Sequence, residues 1–378
     1  MYFKDVIGQD YLKKQLIHSI QSDRFGHALV FNGDLGRGGF PLAVAFYRYL
    51  SCKNRGEEDA CGSCSSCVKL DHWNHPDLHF VYPIAKLTSP KKDVSAHYAE
   101  EWQALLKEGP YFSEEDWQRA SGQEKKTLGI FITEASEIVH KFSMKPYESD
   151  RQCIIILLPE KMNTATANKI LKILEEPPSH SSFIFVSEDQ NALLPTIISR
   201  LQSVNIPPIE VENIKNRLVD LYHLSEEKAG EIARLAEGNF NRANHLLKEG
   251  GGDMIDEQFQ LWMRICYKID YQEIYKWVES VHGWSREQQV YFAEHALKTF
   301  RNCLMLNYAS EDLVMESEKG KGFLFKFSPF IHSENILQLI DEMEQLIVCV
   351  QRNVYSKMAF MDCSLKVCKL LRVKNNHA

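Results

Sequence analysis

Apolar runs of strand type alternate with helical periodicity through the first half of the chain. Residues 27–31 form a short β-like run that stops at Gly33, and 39–50 read as the helix after it. Residues 78–82 and 129–132 read as further strands, and 134–142 as a helix with Ile138, Val139 and Phe142 on one side. Residues 153–158 are almost wholly apolar, the pattern of a strand buried on both faces of a parallel sheet. A helix opens at Asn163 and is closed by Pro177-Pro178, with Ala167, Ile170, Leu171 and Leu174 at i, i+3, i+4 and i+7. Residues 183–186 and 203–206 complete the strand candidates. Strand, helix, strand repeated in this way predicts an α/β layer built on a parallel sheet.

Past Pro207-Pro208 the strand signals vanish. Residues 211–222, 225–236 and 239–248 read as three short helices, and Gly250-Gly251-Gly252 marks the next boundary. The remainder reads as all helical, with Ile336, Ile340, Met343, Ile347, Val350 and Val354 forming a packing seam. Residues 86–126 are a charged, partly helical insertion with Trp102 and Trp117 among many Lys and Glu. The expected domains are therefore 1–207, an α/β module; 208–250, a small helical lid; and 251–378, an all-α domain.

A length of 378 residues allows two to three domains. The net charge of −7 excludes a globally basic nucleic-acid binder, so any DNA contact must be local. No stretch approaches 18 uninterrupted apolar residues, and residues 1–6 lack a basic segment leading into an apolar run. A cytoplasmic protein with no membrane partner is the expectation. A reducing compartment does not sustain disulfides, so ten cysteines there should bind metal or sit in the core.

A phosphate-binding loop needs glycines whose backbone amides curl round phosphates, then a Lys for the charge and a Ser or Thr hydroxyl for Mg²⁺. Here a strand ending at Phe31 leads into Gly33-Asp34-Leu35-Gly36-Arg37-Gly38-Gly39-Phe40 and then a helix. Gly39 stands where the Lys should be and Phe40 where the hydroxyl should be. The acidic partner positions, at the end of the strand near residue 155, are Leu157 and Leu158. Losing two charge-assisted contacts weakens nucleotide affinity by orders of magnitude. Two matched losses suggest a nucleotide-hydrolase fold without hydrolysis; the alternative is a plain glycine-rich turn. Glu160, beyond the strand and after a proline, is expected to be a solvated turn residue.

Cys52, Cys61, Cys64 and Cys67 follow C-x8-C-x2-C-x2-C with small residues between them, the pattern of a closed, structural tetrahedral Zn²⁺ site. An iron–sulfur centre or unligated thiols are the other readings. Cys153, Cys266, Cys303, Cys349, Cys363 and Cys368 are dispersed and read as small core residues.

Several segments taken in order resemble the clamp-loader branch of the AAA+ proteins, and within it the non-hydrolysing delta-prime type of bacterial DNA polymerase III. They are Phe3-Lys4-Asp5-Val6-Ile7-Gly8-Gln9; His27-Ala28; the cysteine knuckle; His75-Pro76-Asp77; Ala167-Asn168-Lys169-Ile170-Leu171-Lys172-Ile173-Leu174-Glu175-Glu176-Pro177-Pro178; Ser199-Arg200-Leu201; and Asn353-Val354-Tyr355-Ser356-Lys357-Met358-Ala359-Phe360. The resemblance implies an AAA+ module with a zinc knuckle, a helical lid and a collar that assembles a ring. It implies no ATP in cis and no enzyme activity of its own. The family's Ser-Arg-Cys motif supplies an arginine finger to ATP on the adjacent subunit. Ser199 and Arg200 match it, and Leu201 replaces the cysteine. A guanidinium there neutralises charge developing on the transferred phosphoryl group; the bland reading of Arg200 is a helix C-terminal cation.

Ser187 and Arg242 occupy the family's sensor positions, for which packing or a lid salt bridge is the expectation when no nucleotide binds. Lys366, Lys369, Arg372 and Lys374 read as a solvated helix face, and Lys319-Gly320-Lys321-Gly322 is no second phosphate loop. The implied partners are gamma/tau-type ATPase subunits and the delta subunit, with the sliding clamp and primer–template DNA reached through the assembly. The rival readings are an active ATPase of the gamma/tau type and a zinc-dependent DNA-binding module.

Overall fold

The apolar run around residue 155 lies inside a five-stranded parallel sheet. The structure, a computed structural model, describes residues 1–86, 93–124, 126–248, 253–284, 286–308, 318–352 and 354–373. The sheet strands are β1 (Ala28–Asn32), β2 (Leu78–Val81), β5 (Gln152–Leu157), β6 (Ser181–Ser187) and β7 (Gln202–Asn205), in the order β2-β5-β6-β1-β7. Asn32 pairs with both Ser187 and Asn205, so the strand ends bring Gly33, Leu158, Glu188 and Ile206 to one edge. That carboxyl edge is where open α/β sheets bind ligands.

Alternate strand residues feed two cores, as a period of two requires. Phe31, Ile155, Leu157, Ile184 and Val186 pack with α1 (Asp10–Gln21) and α2 (Gly39–Ser51). Val30, Ile154, Ile156, Phe183 and Phe185 pack with α6 (Ile132–Ser143) and α7 (Thr164–Glu175). Every residue of α2 is buried, so the helix leaving the glycine-rich loop runs through the middle of the first core. Asn163 caps α7 by accepting from the Thr166 amide.

The strand expected at 129–132 does not join this sheet. Leu128–Gly129 (β4) pairs antiparallel with Ile84–Ala85 (β3), and from Ile132 the chain is already helical, with Glu134 in the first turn where the dipole favours an acid. Val139 also departs from expectation. It is 40% exposed, while Ala135, Ile138 and Phe142 form the buried stripe of α6, because a helix repeats at three to four residues and position 139 falls at the stripe's margin.

Between β3 and β4 the insertion folds as α4 (Ala99–Glu108) and α5 (Glu114–Ala120), joined to the first core by aromatic rings. Trp102 stacks on Tyr82 at 4.4 Å and meets Trp117 at 5.4 Å. The knuckle helix α3 (Ser65–Asp71) follows α2. The three helices expected as a lid, and called so below, are α9 (Val211–Tyr222), α10 (Glu226–Leu235) and α11 (Phe240–Lys248), after the short α8 (Pro195–Ile198).

The chain divides into two compact units, Met1–Leu247 and Lys248–Ala378, so the sheet and the three lid helices share one unit. The second contains α12 (Asp253–Lys268), α13 (Tyr271–His282), α14 (Arg286–Tyr308), α15 (Glu318–Phe327), α16 (Ile336–Gln351) and α17 (Ser356–Leu370), with no strand among the described residues. Trp262 stacks on Trp277 at 5.4 Å and donates from Nε1 to Ser364 Oγ at 2.9 Å, tying α12, α13 and α17 together. The α16 seam is Ile336, Leu339, Met343, Leu346 and Val350. Ile340 and Ile347 sit at its margin, and Val354, beyond the helix end, is 46% exposed. Gly250-Gly251-Gly252, Asn353, Lys374 and residues 87–92 and 125 of the insertion lie outside the described residues, as do the side chains of 319–321. Among the described residues no helix is long and apolar enough to cross a membrane.

Candidate functional site

The loop after β1 uses its own amides. Gly33 N donates to Ser187 O at 2.9 Å, Arg37 N to Asp34 O at 2.9 Å and Gly38 N to Leu35 O at 3.4 Å. The Leu35 amide donates to the Glu188 carboxylate at 3.2 Å, so a side-chain anion sits against an amide of the kind that cradles phosphate elsewhere. Asp34 pairs with Arg37 at 2.5 Å. Gly36 is needed for close approach: a Cβ there would lie 1.8 Å from Asn239 Oδ1 on the lid. Gln9 donates from Nε2 to Arg37 O at 3.2 Å and Pro207 O at 2.7 Å, which pins the Pro207-Pro208 linker to the loop.

Gly39 opens α2, and Phe40 is 1% exposed. Its ring lies 5.3 Å from Phe112, 5.6 Å from Trp102, 5.9 Å from Phe80 and 6.5 Å from Trp73. The position expected to carry a hydroxyl in a phosphate loop is thus an aromatic core contact. Leu157 and Leu158 are buried as well.

Glu160 is a correction. It is half-buried and faces inward, accepting from Ser187 Oγ at 2.8 Å and from the Glu188 amide at 3.1 Å. The turn after β5 folds back across the end of β6, and burial pushes the Glu160 pKa up. Packing of the Glu188 carboxyl end, reinforced by Glu160, Asp34 and Glu114, pushes its pKa up to about 7, although much of the residue stays in water. Ser187 is fully buried, and Arg242 pairs with Glu237 at 3.4 Å within the lid.

Arg200 is not at this edge. It precedes β7, whose first residue pairs with Leu29, whereas the loop begins beyond the Asn32–Asn205 pair. Four residue steps at about 3.3 Å, roughly 13 Å of strand, therefore separate the first residue of β7 from the loop, and Arg200 lies two residues before it. Its Nη2 meets Glu175 Oε1 at 2.8 Å, and Nη1 donates to Thr196 O at 2.9 Å and Ser199 Oγ at 3.2 Å. Ser199 is exposed beside it.

The four cysteines meet at the far end of α2, about 20 Å from the loop for thirteen residues at about 1.5 Å each. Cys52 ends α2, Cys64 and Cys67 open α3, and Gly62 at φ +76 turns the chain between them. Their sulfurs all lie within 4.8 Å of one another. The Cys61 and Cys64 amides donate to Cys52 and Cys61 sulfurs at 3.3 Å. The Ser63 amide, first among several donors, lowers Cys61 to about 6, toward the thiolate that binds metal, while burial pushes Cys67 up. Arg48, fully buried, joins α3 to α2 through Cys67 O at 3.0 Å and Asp71 at 2.8 Å. Cys153, Cys266, Cys303, Cys363 and Cys368 are buried, and Cys349 is half-buried.

The family described as DNA polymerase III, delta subunit, matches residues 8–210, more than half of the chain. The chain belongs to this family. The delta′ subunit of Bacillus subtilis DNA polymerase III is 30% identical over 249 residues, covering 66% of this chain and 61% of that one. The tau subunit of the same organism is 24% identical over 261 residues, covering 67% and 39%. The chain thus spans less than two thirds of the length of these curated relatives. Among solved structures, a gamma-subunit-related protein of Thermotoga maritima aligns over 95% of this chain and 99% of its own, with a TM-score of 0.41 and 13% identity.

Several residues of this family member's site escaped the sequence reading. Glu188, Asn239, Tyr111 and Asp116 reach the loop or the helices after it through neighbours distant in sequence, which local spacing does not reveal.

Proposed function

We propose that this chain is a delta-prime-type subunit of the DNA polymerase III clamp loader, cytoplasmic, an AAA+ module that neither binds nor hydrolyses ATP itself. It presents Arg200 to ATP on a neighbouring gamma/tau-type subunit. The delta subunit, the sliding clamp and primer–template DNA complete the assembly in which it acts. The observation that carries this reading is the place of Arg200, half-buried beside the start of β7 and away from its own loop. Nothing in cis offers it a phosphate. Its bond to Glu175 is a surface pair, of a kind worth about 0.2–1 kcal/mol, which a neighbour's polyphosphate can outcompete. In the neighbour's site the guanidinium would neutralise charge on the transferred phosphoryl group.

The loop supports the same reading from the other side. The Gly33, Leu35, Arg37 and Gly38 amides are engaged within the protein, Phe40 is locked among rings, and Glu188 and Glu160 place carboxyl groups where phosphates would need positive charge. Cys52, Cys61, Cys64 and Cys67 would hold a structural Zn²⁺. Bonds of about 2.3 Å in a tetrahedron separate the sulfurs by about 3.8 Å, close to the 4.0 Å between Cys52 and Cys64. With four protein ligands the ion would have no open position for substrate and would serve as a clip.

Titration calorimetry of the isolated chain with Mg-ATP tests the cis half of the proposal. No binding at millimolar nucleotide is the expected outcome; low-micromolar affinity would turn the assignment to a gamma/tau-type ATPase.

A further inference from the structure

The insertion reaches three parts of the first unit at once. At one end the Tyr111 hydroxyl accepts from the Ile7 amide at 2.8 Å, and the ring stands edge-on to Phe240 of the lid at 5.2 Å. The same ring covers Gly38 of the loop, where a Cβ would come within 3.5 Å of it. At the other end Asp116, on α5, accepts from Asn241 Nδ2 at 2.9 Å and meets His245 Nε2 at 3.2 Å, both on α11. Behind these contacts Trp102, Phe112 and Trp117 anchor the two helices in the ring cluster around Phe40.

We propose that residues 99–120 are a built-in ligand for the cleft between the glycine-rich loop and the helical lid, a wedge that fixes the lid without a nucleotide. Tyr111 and Asp116 are its positioning residues. The inference rests on the reading of the loop as one that takes no nucleotide.

The two wedge side chains that meet the loop and the lid have their polar atoms bonded. Tyr111 is 7% exposed with its hydroxyl bonded. Burial alone would raise the Asp116 pKa, but His245, the Ser113 amide and Asn241 hold it well below the usual carboxylate range. A buried carboxylate with partners on both elements resists separation, because removing either side strands a desolvated charge. The contact also closes the cleft from the lid side, where Asn239 presses on Gly36.

Amide hydrogen exchange on the full chain tests the wedge. Asn241→Ala with His245→Ala removes the lid's share while sparing the Ser113–Asp116 cap of α5. Exchange in α9–α11 should speed up about 10- to 100-fold, with β5 and β6 amides unchanged, as local opening requires. Tyr111→Ala should do the same and Tyr111→Phe, which keeps the ring on Phe240, much less. Unchanged protection in α9–α11, or equal acceleration in β5 and β6, overturns the wedge. Tight ATP binding by the wild-type chain overturns the reading of the loop instead, and the exchange pattern still decides whether the insertion holds the lid.

Discussion

Phe40 marks a position where one residue changes what a loop can do. In a hydrolase a hydroxyl there would meet the metal; here a ring fills the core. Phe40→Ala should cost about 3–5 kcal/mol of stability in denaturant unfolding, the range for a buried Phe; a loss below about 1 kcal/mol would contradict the packing. Glu188 supplies a pH signature. Folded protein holds its proton up to about pH 7 and unfolded chain to about 4.5, so folding takes up a proton between them. Stability from this group therefore falls as pH rises from about 4.5 to 7. The slope should be shallow, because the side chain is more than a third exposed. Glu188→Gln should remove that contribution; an unaltered stability profile would contradict it. That Gly39, Phe40, Leu157 and Leu158 stand at the positions a phosphate loop and its acidic partner would use was legible because a motif fixes its positions by spacing. Glu160 was misread, since only the turn after β5 decides that its carboxyl faces Ser187.

Among elements, the cysteine cluster was the most legible, because its four thiols lie within sixteen residues and spacing nearly determines geometry. The purified protein should carry one zinc. Chelation or Cys61→Ser should lower the melting temperature by roughly 5–15 °C, at about 2–4 °C per kcal/mol for several kcal/mol lost. Metal-free protein with an unchanged melting curve would make the cysteines simple core thiols. The insertion was far less legible. Trp102 and Trp117 sit among charged neighbours, so its periodicity is masked, and its rings find partners in Phe40, Phe80 and Tyr82 through tertiary contact. The α16 seam was shifted for a related reason: Ile340 and Leu339 are equally apolar, and only the neighbouring helices choose between them.

At the scale of the molecule, alternating strands and helices revealed the parallel sheet, and the loss of strand signal after Pro207 revealed the helical remainder. Neither could reveal that the lid shares a unit with the sheet, which depends on Gln9, Tyr111 and Asp116 reaching across it. A compact first unit that holds Arg200 away from its own loop suits the proposed action on a neighbour's nucleotide. The direct test reconstitutes the assembly from this chain, the partner ATPase, delta, clamp and primer–template DNA, and compares wild type with Arg200→Ala in single-turnover ATP hydrolysis at the neighbouring site. The account predicts normal assembly and a fall of about 10³-fold or more at that site, the scale of a lost arginine finger. Unchanged turnover in a properly assembled complex would contradict it.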